Sequence, residues 1–199
     1  MTPKVKFSKI DVLQAAFRLV QKQGPQALNA RNIAKNLGSS TQPIFSYYQN
    51  MSELKAELFE MVKQYHSNYF NKVEINDDLL VNIGMAYIEF AMEEPHLFMM
   101  MFMSFGFTSV KLSDFFLAFD DSCNVKLEQA FEQIFNMQSP SVYPLFIDVW
   151  LYAHGIASML VMNQLPTPKE EIKEMLRSLY SLLEFRMKER IENESSNHH

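Results

Sequence analysis

The chain has 199 residues, of which 48% are hydrophobic, a formal net charge of −5 and one cysteine. This length and hydrophobic content are ample for one large or two small domains with buried cores. One cysteine excludes an internal disulfide framework and fits a reducing compartment. The most apolar run, residues 97–107, is shorter than the roughly 18 residues of a membrane span, and no apolar signal core begins the chain. We therefore expect a cytoplasmic protein with no membrane partner.

The charges are distributed unevenly along the chain. The first 50 residues contain seven Lys or Arg and one Asp, a net charge of +6, which leaves −11 for the remaining residues. A basic segment of this kind is either ordinary solvated surface or the electrostatic footprint of phosphate binding. The net charge of −5 taken alone argues against a nucleic-acid partner, but this average hides a small basic segment followed by an acidic remainder.

Five glycines, few alternating patterns and long stretches of good helix formers predict an all-α fold. Ser8 and Asp11 form a capping-box pattern that begins a helix over about 8–23, which Gly24 and the following proline end. Asn29 is the expected N-cap of a short second helix that ends at Gly38.

Ser40 is the expected cap of a third helix, with Pro43 in its first turn, where the missing N–H costs no helical hydrogen bond. Asn50 and Glu53 begin a long fourth helix. Its expected buried stripe consists of apolar and aromatic residues at helical spacing, namely Leu54, Leu58, Met61, Tyr65 and Tyr69.

Further helices are expected at about 77–94, 95–104, 111–137, 140–164 and 168–191, because prolines mark most of the breaks. A change of composition places the domain boundary near residues 71–76. We predict one domain over 6–66, a second over 75–191, and a flexible tail over 192–199.

Two short helices joined by a turn with glycine, between a supporting helix and a longer one, are typical of a helix-turn-helix over about 29–48. The third helix would enter a major groove of DNA. Its first residues, Ser40, Thr41 and Gln42, carry groups able to hydrogen-bond base edges. Ser46, Tyr47 and Tyr48 follow within reach of phosphates.

Residues 8–60 resemble the DNA-binding domain of the TetR family of transcriptional repressors. The resemblance is carried by Ile10, Ala15, Ala16, Gly24, the pair Ile33 and Ala34, the pair Leu37 and Gly38, Ser40, Phe45 and Tyr48. Met51 stands where the family often has a phosphate-contacting lysine, a loss for which Lys55, Lys6 and the start of the fourth helix would compensate. The expected DNA-binding residues are Asn29, Arg31, Ser40, Thr41, Gln42, Ser46, Tyr47, Tyr48 and Lys55.

Residues 80–190 show a looser resemblance, to the C-terminal domain of a TetR subgroup named for a Trp-His-Gly signature. It is carried by Tyr87, Phe90, Ala91, Pro95, Phe98, Trp150, His154 and Gly155. The resemblance implies effector binding and dimerisation. The whole protein would then be a ligand-responsive repressor that binds a pseudo-palindromic DNA operator as a homodimer.

Two apolar stripes on the last two helices favour the same dimer. The first stripe is Leu145, Val149, Tyr152, Ile156 and Leu160, and the second is Ile172, Met175, Leu179, Leu182 and Phe185. Packing within one chain is the alternative.

A crowd of Met and Phe residues predicts a mainly apolar pocket for a small hydrophobic effector. The same cluster is alternatively plain core. We expect the segment 95–104 to couple this pocket to the DNA-binding domain. The candidate lining residues are Met99, Met103, Phe107, Phe116, Phe119, Trp150 and His154.

No catalytic or metal-ligating pattern is found. His66, His96, His154 and Cys123 lack ligand spacing, and neither a nucleophile elbow nor a phosphate-binding glycine loop occurs. We expect no enzyme, no cofactor and no metal, and we set aside the two terminal histidines as native or tag-derived. The alternative function is a helical binding or scaffold protein that uses the helix-turn-helix for protein contacts.

Overall fold

The computed structural model describes residues 7–74, 76, 78–104, 139–163 and 167–196. Every regular element in these ranges is helical and none is a strand, which confirms the all-α fold. The expected helix over 111–137 lies outside the described residues. The bounds of the other helices agree with the sequence-based prediction to within a few residues. The last helix is the exception, because it continues five residues beyond its predicted end at residue 191.

The helices follow in chain order. They are α1 (Lys9–Gln23), a 3₁₀ turn (Pro25–Ala27), α2 (Ala30–Leu37), α3 (Gln42–Tyr47), α4 (Met51–Phe70), α5 (Leu79–Glu93), α6 (Pro95–Met99), a π-helical turn (Met100–Ser104), α7 (Ser139–Asn163) and α8 (Lys169–Ser196). Within this set, no helix combines the length and hydropathy needed to cross a bilayer.

The start of α1 is a complete capping box, as the sequence predicted. The Asp11 amide donates to Ser8 Oγ over 3.2 Å, and the Ser8 amide donates to Asp11 Oδ2 over 2.8 Å. These hydrogen bonds from Ser8 favour the ionised carboxylate and lower the pKa of Asp11. The first helix therefore begins at a position fixed by its own sequence.

Local signals also fix both ends of α2. The Asn29 side chain accepts from the Asn32 amide over 2.9 Å, and Gly38 ends the helix with φ of 63°, in the left-handed region that favours glycine. Pro43 lies in the first turn of α3, as expected. The N-cap of α3 is Thr41 and not Ser40 as expected, although Ser40 Oγ accepts from the Gln42 amide over 3.4 Å.

The buried row of α4 differs from the predicted stripe. Leu54 and Leu58 are buried as expected, but the next two buried positions are Val62 and His66, whereas Met61 and Tyr65 are half-buried. Four residues rotate the helix slightly more than one full turn of 3.6 residues, so this row winds around α4. The pattern of apolar residues alone missed this because His66 counted as polar.

The described residues divide into two units by their contacts. The first unit, called the head, contains residues 7–66 and 93–104, and the second, called the body, contains 67–92, 139–163 and 167–196. This grouping differs from the sequence-based domains of 6–66 and 75–191 because α6 and the π-helical turn group with the head. In the head, α1 lies at the centre and contacts α2, α3 and α6 through its buried residues Val12, Ala15, Ala16, Leu19 and Val20.

In the body, α8 packs closely on α5 at a glycine. A Cβ on Gly84 would lie 2.7 Å from the Tyr180 hydroxyl oxygen and 3.1 Å from a Leu176 methyl carbon, so only glycine fits without displacement. An ion pair between Lys169 and Glu89 joins α8 to α5. A second ion pair, between Arg177 and Asp78, joins α8 to the turn before α5. Helix α7 also contacts α8.

Candidate functional site

The outer face of α3 is the first candidate site. Ile44 and Tyr48 are 0% and 1% exposed and hold the helix against the core of the head, while Gln42, Phe45 and Ser46 are exposed. Ser46 Oγ donates to the Gln42 carbonyl over 2.9 Å, within the same helix. The exposed face therefore presents an amide, a hydroxyl and one phenyl ring to the solvent.

The two tyrosines at the end of α3 have structural contacts. The Tyr47 hydroxyl donates to the Phe7 carbonyl over 2.9 Å and so ties α3 to the chain before α1. The Tyr48 ring lies in the core, burial raises the pKa of its phenol, and the Lys9 ammonium lies 5.1 Å from the ring centre. We therefore assign Tyr48 to the core of the head and leave it out of the proposed DNA contacts.

The other predicted DNA-binding residues lie around α3. Asn29 uses its side chain to cap α2, and Ser40 uses its hydroxyl at the start of α3, so both have structural roles. Arg31 is exposed in the first turn of α2, Lys55 is half-buried in the second turn of α4, and Thr41 is half-buried beside Gln42. The head thus combines cationic side chains on α2 and α4 with a polar outer face on α3.

A cluster of three polar or aromatic side chains is the second candidate site, in the body. The Tyr87 hydroxyl lies 2.7 Å from His154 Nδ1, and the Trp150 ring stacks on the His154 ring at 4.5 Å with an angle of 10°. Helix α7 brings Trp150 and His154 together because residues four apart share a face. Burial lowers the pKa of His154, which favours its neutral form.

The predicted effector residues are divided between the two units. Trp150 and His154 belong to the body, whereas Met99 and the exposed Met103 belong to the head. Phe107, Phe116 and Phe119 lie outside the described residues. Sequence analysis did not include Tyr87 among the site residues, although Tyr87 already carried part of the family resemblance.

A hydrogen-bonded junction holds α6 in the head. Glu94 Oε1 accepts from Gln21 Nε2 over 2.7 Å and from the Tyr65 hydroxyl over 2.8 Å. His96 Nδ1 donates to the Gln21 carbonyl over 3.0 Å. The segment after this junction contains four side chains with no exposed surface, which are Leu97, Phe98, Met100 and Met101. The sequence carried no signal for these side-chain bonds.

Exposed apolar side chains form one row on each of the last two helices. On α7 they are Leu151, Met159 and Met162, at 43%, 58% and 71% exposure, and on α8 they are Met175, Leu182 and Phe185, at 39%, 48% and 60%. Three of the five residues of the predicted second stripe, Met175, Leu182 and Phe185, lie in this exposed row, whereas Ile172 is buried and Leu179 is half-buried. In the predicted first stripe Val149 and Leu160 are buried, Tyr152 and Ile156 are half-buried, and the side chain of Leu145 is not described.

A comparison with protein families finds a match over the second half of the chain. The family model described as the tetracyclin repressor-like C-terminal domain matches residues 80–183, about half of the chain, including Tyr87, Trp150 and His154. No curated protein matches the chain. Within the described ranges, no group of three His, Cys, Asp or Glu side chains is arranged to hold a metal ion.

Proposed function

Because the chain belongs to the tetracycline repressor-like (TetR) family of transcription regulators, we propose that it is a repressor released from DNA by a small hydrophobic effector. Members of this family are generally DNA-binding proteins without enzymatic activity. The proposed repressor binds a pseudo-palindromic operator as a homodimer.

The outer face of α3 carries the proposal of DNA binding. A recognition helix must expose its base-reading side chains while its other face is fixed to a core. Gln42 is exposed one residue after Thr41, and Ile44 on the opposite side is completely buried. We assign base contacts to Thr41 and Gln42, and phosphate contacts to Arg31 and Lys55.

The Tyr47 hydroxyl contributes to this site indirectly. Its bond to the Phe7 carbonyl fixes the end of α3 against the chain entering α1. A recognition helix of only six residues has few contacts of its own, so such a tether keeps it in one orientation. We therefore retain Tyr47 in the site as a positioning residue.

The exposed apolar rows of α7 and α8 support the homodimer. Monomeric proteins seldom leave several large apolar side chains of packed neighbouring helices in water. A dimeric helix-turn-helix protein reads two half-sites about 34 Å apart or a multiple of that spacing, so a symmetric contact must hold the two heads. The two rows supply the surface for such a contact.

The Tyr87, His154 and Trp150 cluster supports the effector site. An indole stacked on a neutral imidazole gives a flat, mainly apolar wall, and the Tyr87 hydroxyl adds one polar group. Effector pockets of this type combine apolar walls with a few polar groups that orient the ligand.

The coupling of effector to DNA is proposed to pass through α6. Glu94, Gln21 and Tyr65 bind α6 to α1 and α4 within the head, so a displacement of α6 displaces the helices that carry α3. An effector releases the operator only if it binds the DNA-free form more tightly than the bound form.

Selection of binding sites from random DNA, followed by titration at several salt concentrations, tests the proposal. We expect a two-fold symmetric consensus and a binding constant that falls steeply with salt. A protein that binds all DNA sequences equally, or none, would instead be a helical scaffold. Transcription from the selected operator in vitro then distinguishes repression from activation.

A further inference from the structure

Phe45 places a large apolar side chain on the outer face of α3. It is 50% exposed, whereas Ile44 beside it is completely buried. Phe45 lies three residues after Gln42, so its ring and the Gln42 amide are neighbours on one face of the helix. The Ser46 hydroxyl on this side of α3 donates its proton to the Gln42 carbonyl over 2.9 Å. The face therefore offers one amide and one ring that has no hydrogen-bonding group.

A phenyl ring can recognise few features of a major groove. The edges of the base pairs carry hydrogen-bond donors and acceptors there, and the apolar feature among them is the 5-methyl group of thymine. A ring packed over a donor or acceptor removes water without replacing the hydrogen bond, which is unfavourable. A ring packed on the methyl group buries apolar surface of both molecules, which is favourable. The Phe45 ring is therefore suited to thymine.

Gln42 favours the same type of base pair. A glutamine amide forms two hydrogen bonds with adenine, to N6 and N7. Gln42 and Phe45 are separated by about 4.5 Å along the helix axis, at 1.5 Å per residue, and successive base pairs by about 3.4 Å. With α3 in the groove, the amide and the ring thus reach the same base pair or neighbouring ones.

We propose that Phe45 is a base-reading residue that contacts the 5-methyl group of a thymine, so that α3 reads A·T pairs through Gln42 and Phe45. The proposal rests on the DNA binding proposed above and names the bases that the same face recognises. The charges around this face fit DNA as its partner, because Arg31 on α2 and Lys55 on α4 are cationic and the phosphates are anionic. Each half-site of the operator then contains A·T pairs at the centre of the contact.

Removal of single methyl groups from the operator tests the proposal without any change in the protein. Each thymine of the selected operator is replaced in turn by uracil, which differs from thymine only in lacking the 5-methyl group. Uracil at the contacted thymine should weaken binding about fourfold per half-site, the effect of one buried methyl group. Fluorescence anisotropy measures the dissociation constants, and uracil at thymines outside the contact should leave them unchanged.

Variants of Phe45 assign the effect to the ring. Phe45→Ala should keep the helical circular dichroism spectrum, bind the operator more weakly and no longer distinguish thymine from uracil. Phe45→Ser is a second variant with the same expected result, whereas Phe45→Tyr keeps the ring and should keep the preference for thymine. Ile10→Ala is the matched control, because Ile10 is also 50% exposed but lies on α1. This control should distinguish thymine from uracil as the unaltered protein does.

The outcomes separate this proposal from the proposed function. If the protein selects a specific operator but uracil weakens binding at no position, the methyl contact is wrong and DNA binding stands. The same conclusion follows if Phe45→Ala or Phe45→Ser still prefers thymine, or if the loss of the ring weakens binding to all DNA sequences equally. A protein that selects no DNA sequence overturns the proposed function and the role of Phe45 together.

Discussion

The Tyr87 hydroxyl lies 2.7 Å from His154 Nδ1, joining α5 to α7 inside the body. The residues that form this bond are 67 positions apart, and the Trp150 ring covers the imidazole. The bond therefore fixes the position of a half-buried histidine.

Replacement of Tyr87 by phenylalanine should destabilise the protein. The change leaves His154 Nδ1 without this hydrogen bond in a partly buried site, which costs about 1 to 3 kcal/mol. Tyr180→Phe is the matched control, because no polar atom of the described residues lies within hydrogen-bonding distance of the Tyr180 hydroxyl. Its free energy of unfolding should stay the same or rise. Urea denaturation measures the free energy of unfolding of both variants. An equal loss of stability in Tyr87→Phe and Tyr180→Phe would contradict a stabilising hydrogen bond between Tyr87 and His154.

Stability should fall as the pH drops below about 6.5, the ordinary pKa of histidine. Burial lowers the pKa of His154 in the folded protein, so the unfolded chain binds a proton first as the pH falls. The stabilisation is complete above pH 6.5 and is lost towards the lower pKa of the folded state. Thermal unfolding between pH 5 and pH 8 measures this dependence, and His154→Gln should reduce its slope. An unchanged slope in that variant would assign the effect to another group.

The two classes of DNA contact should respond differently to substitution. Gln42→Ala should relax the preference at one base pair, by about 1 to 3 kcal/mol, because only a base contact carries sequence information. Lys55→Ala should weaken binding to selected and random DNA alike and flatten the dependence on salt. Fluorescence anisotropy on both kinds of DNA compares them. If Gln42→Ala weakens both equally, Gln42 does not read a base.

Removal of the Glu94 carboxylate should loosen α6. Glu94→Ala deletes the acceptor of two hydrogen bonds, from Gln21 and Tyr65, and should destabilise the head by about 1 to 3 kcal/mol. Hydrogen exchange of the amides over 95–104 should accelerate. Glu94→Gln keeps an oxygen acceptor and should show a smaller change. Unaltered exchange in Glu94→Ala would mean that the buried side chains alone hold the segment.

A charge in the exposed row of α8 should dissociate the proposed homodimer. Leu182 is 48% exposed in one copy, so Leu182→Glu places the carboxylate in water in the monomer and in an apolar contact in the dimer. Sedimentation should detect monomers with an unchanged helical spectrum. A charge at Ser52, which is exposed on α4 of the head, should leave the dimer intact.

Much of the head could be predicted from sequence because its signals are local. Ser8 with Asp11, Asn29 and Gly38 each fix a helix end through bonds to residues three to five positions away. Tyr48 could not be placed in this way, since a tyrosine near the end of a recognition helix suits either a phosphate or a core. Only the packing of α3 on the head decides between them.

The contacts of α6 and of the body depend on residues far apart in the chain. Glu94 lies 73 positions from Gln21, and no periodic pattern indicates which glutamate will meet which amide. The stripe on α7 was predicted from hydrophobicity alone, which does not tell an inward-facing Val149 from an outward-facing Leu151. Burial in the folded chain makes that distinction.

The segment from Leu97 to Met101 has consequences for how the head tolerates change. Leu97, Phe98, Met100 and Met101 have no exposed surface, whereas Met99 between them is half-buried, so the segment buries one broad face in the head. A charged side chain introduced at Leu97, Phe98, Met100 or Met101 would be buried without contact with water. Removal of the segment from the head would uncover a patch of apolar surface prone to aggregation. The fold of the head therefore depends on residues 93–104, although α5 of the body separates them from α4 in the chain.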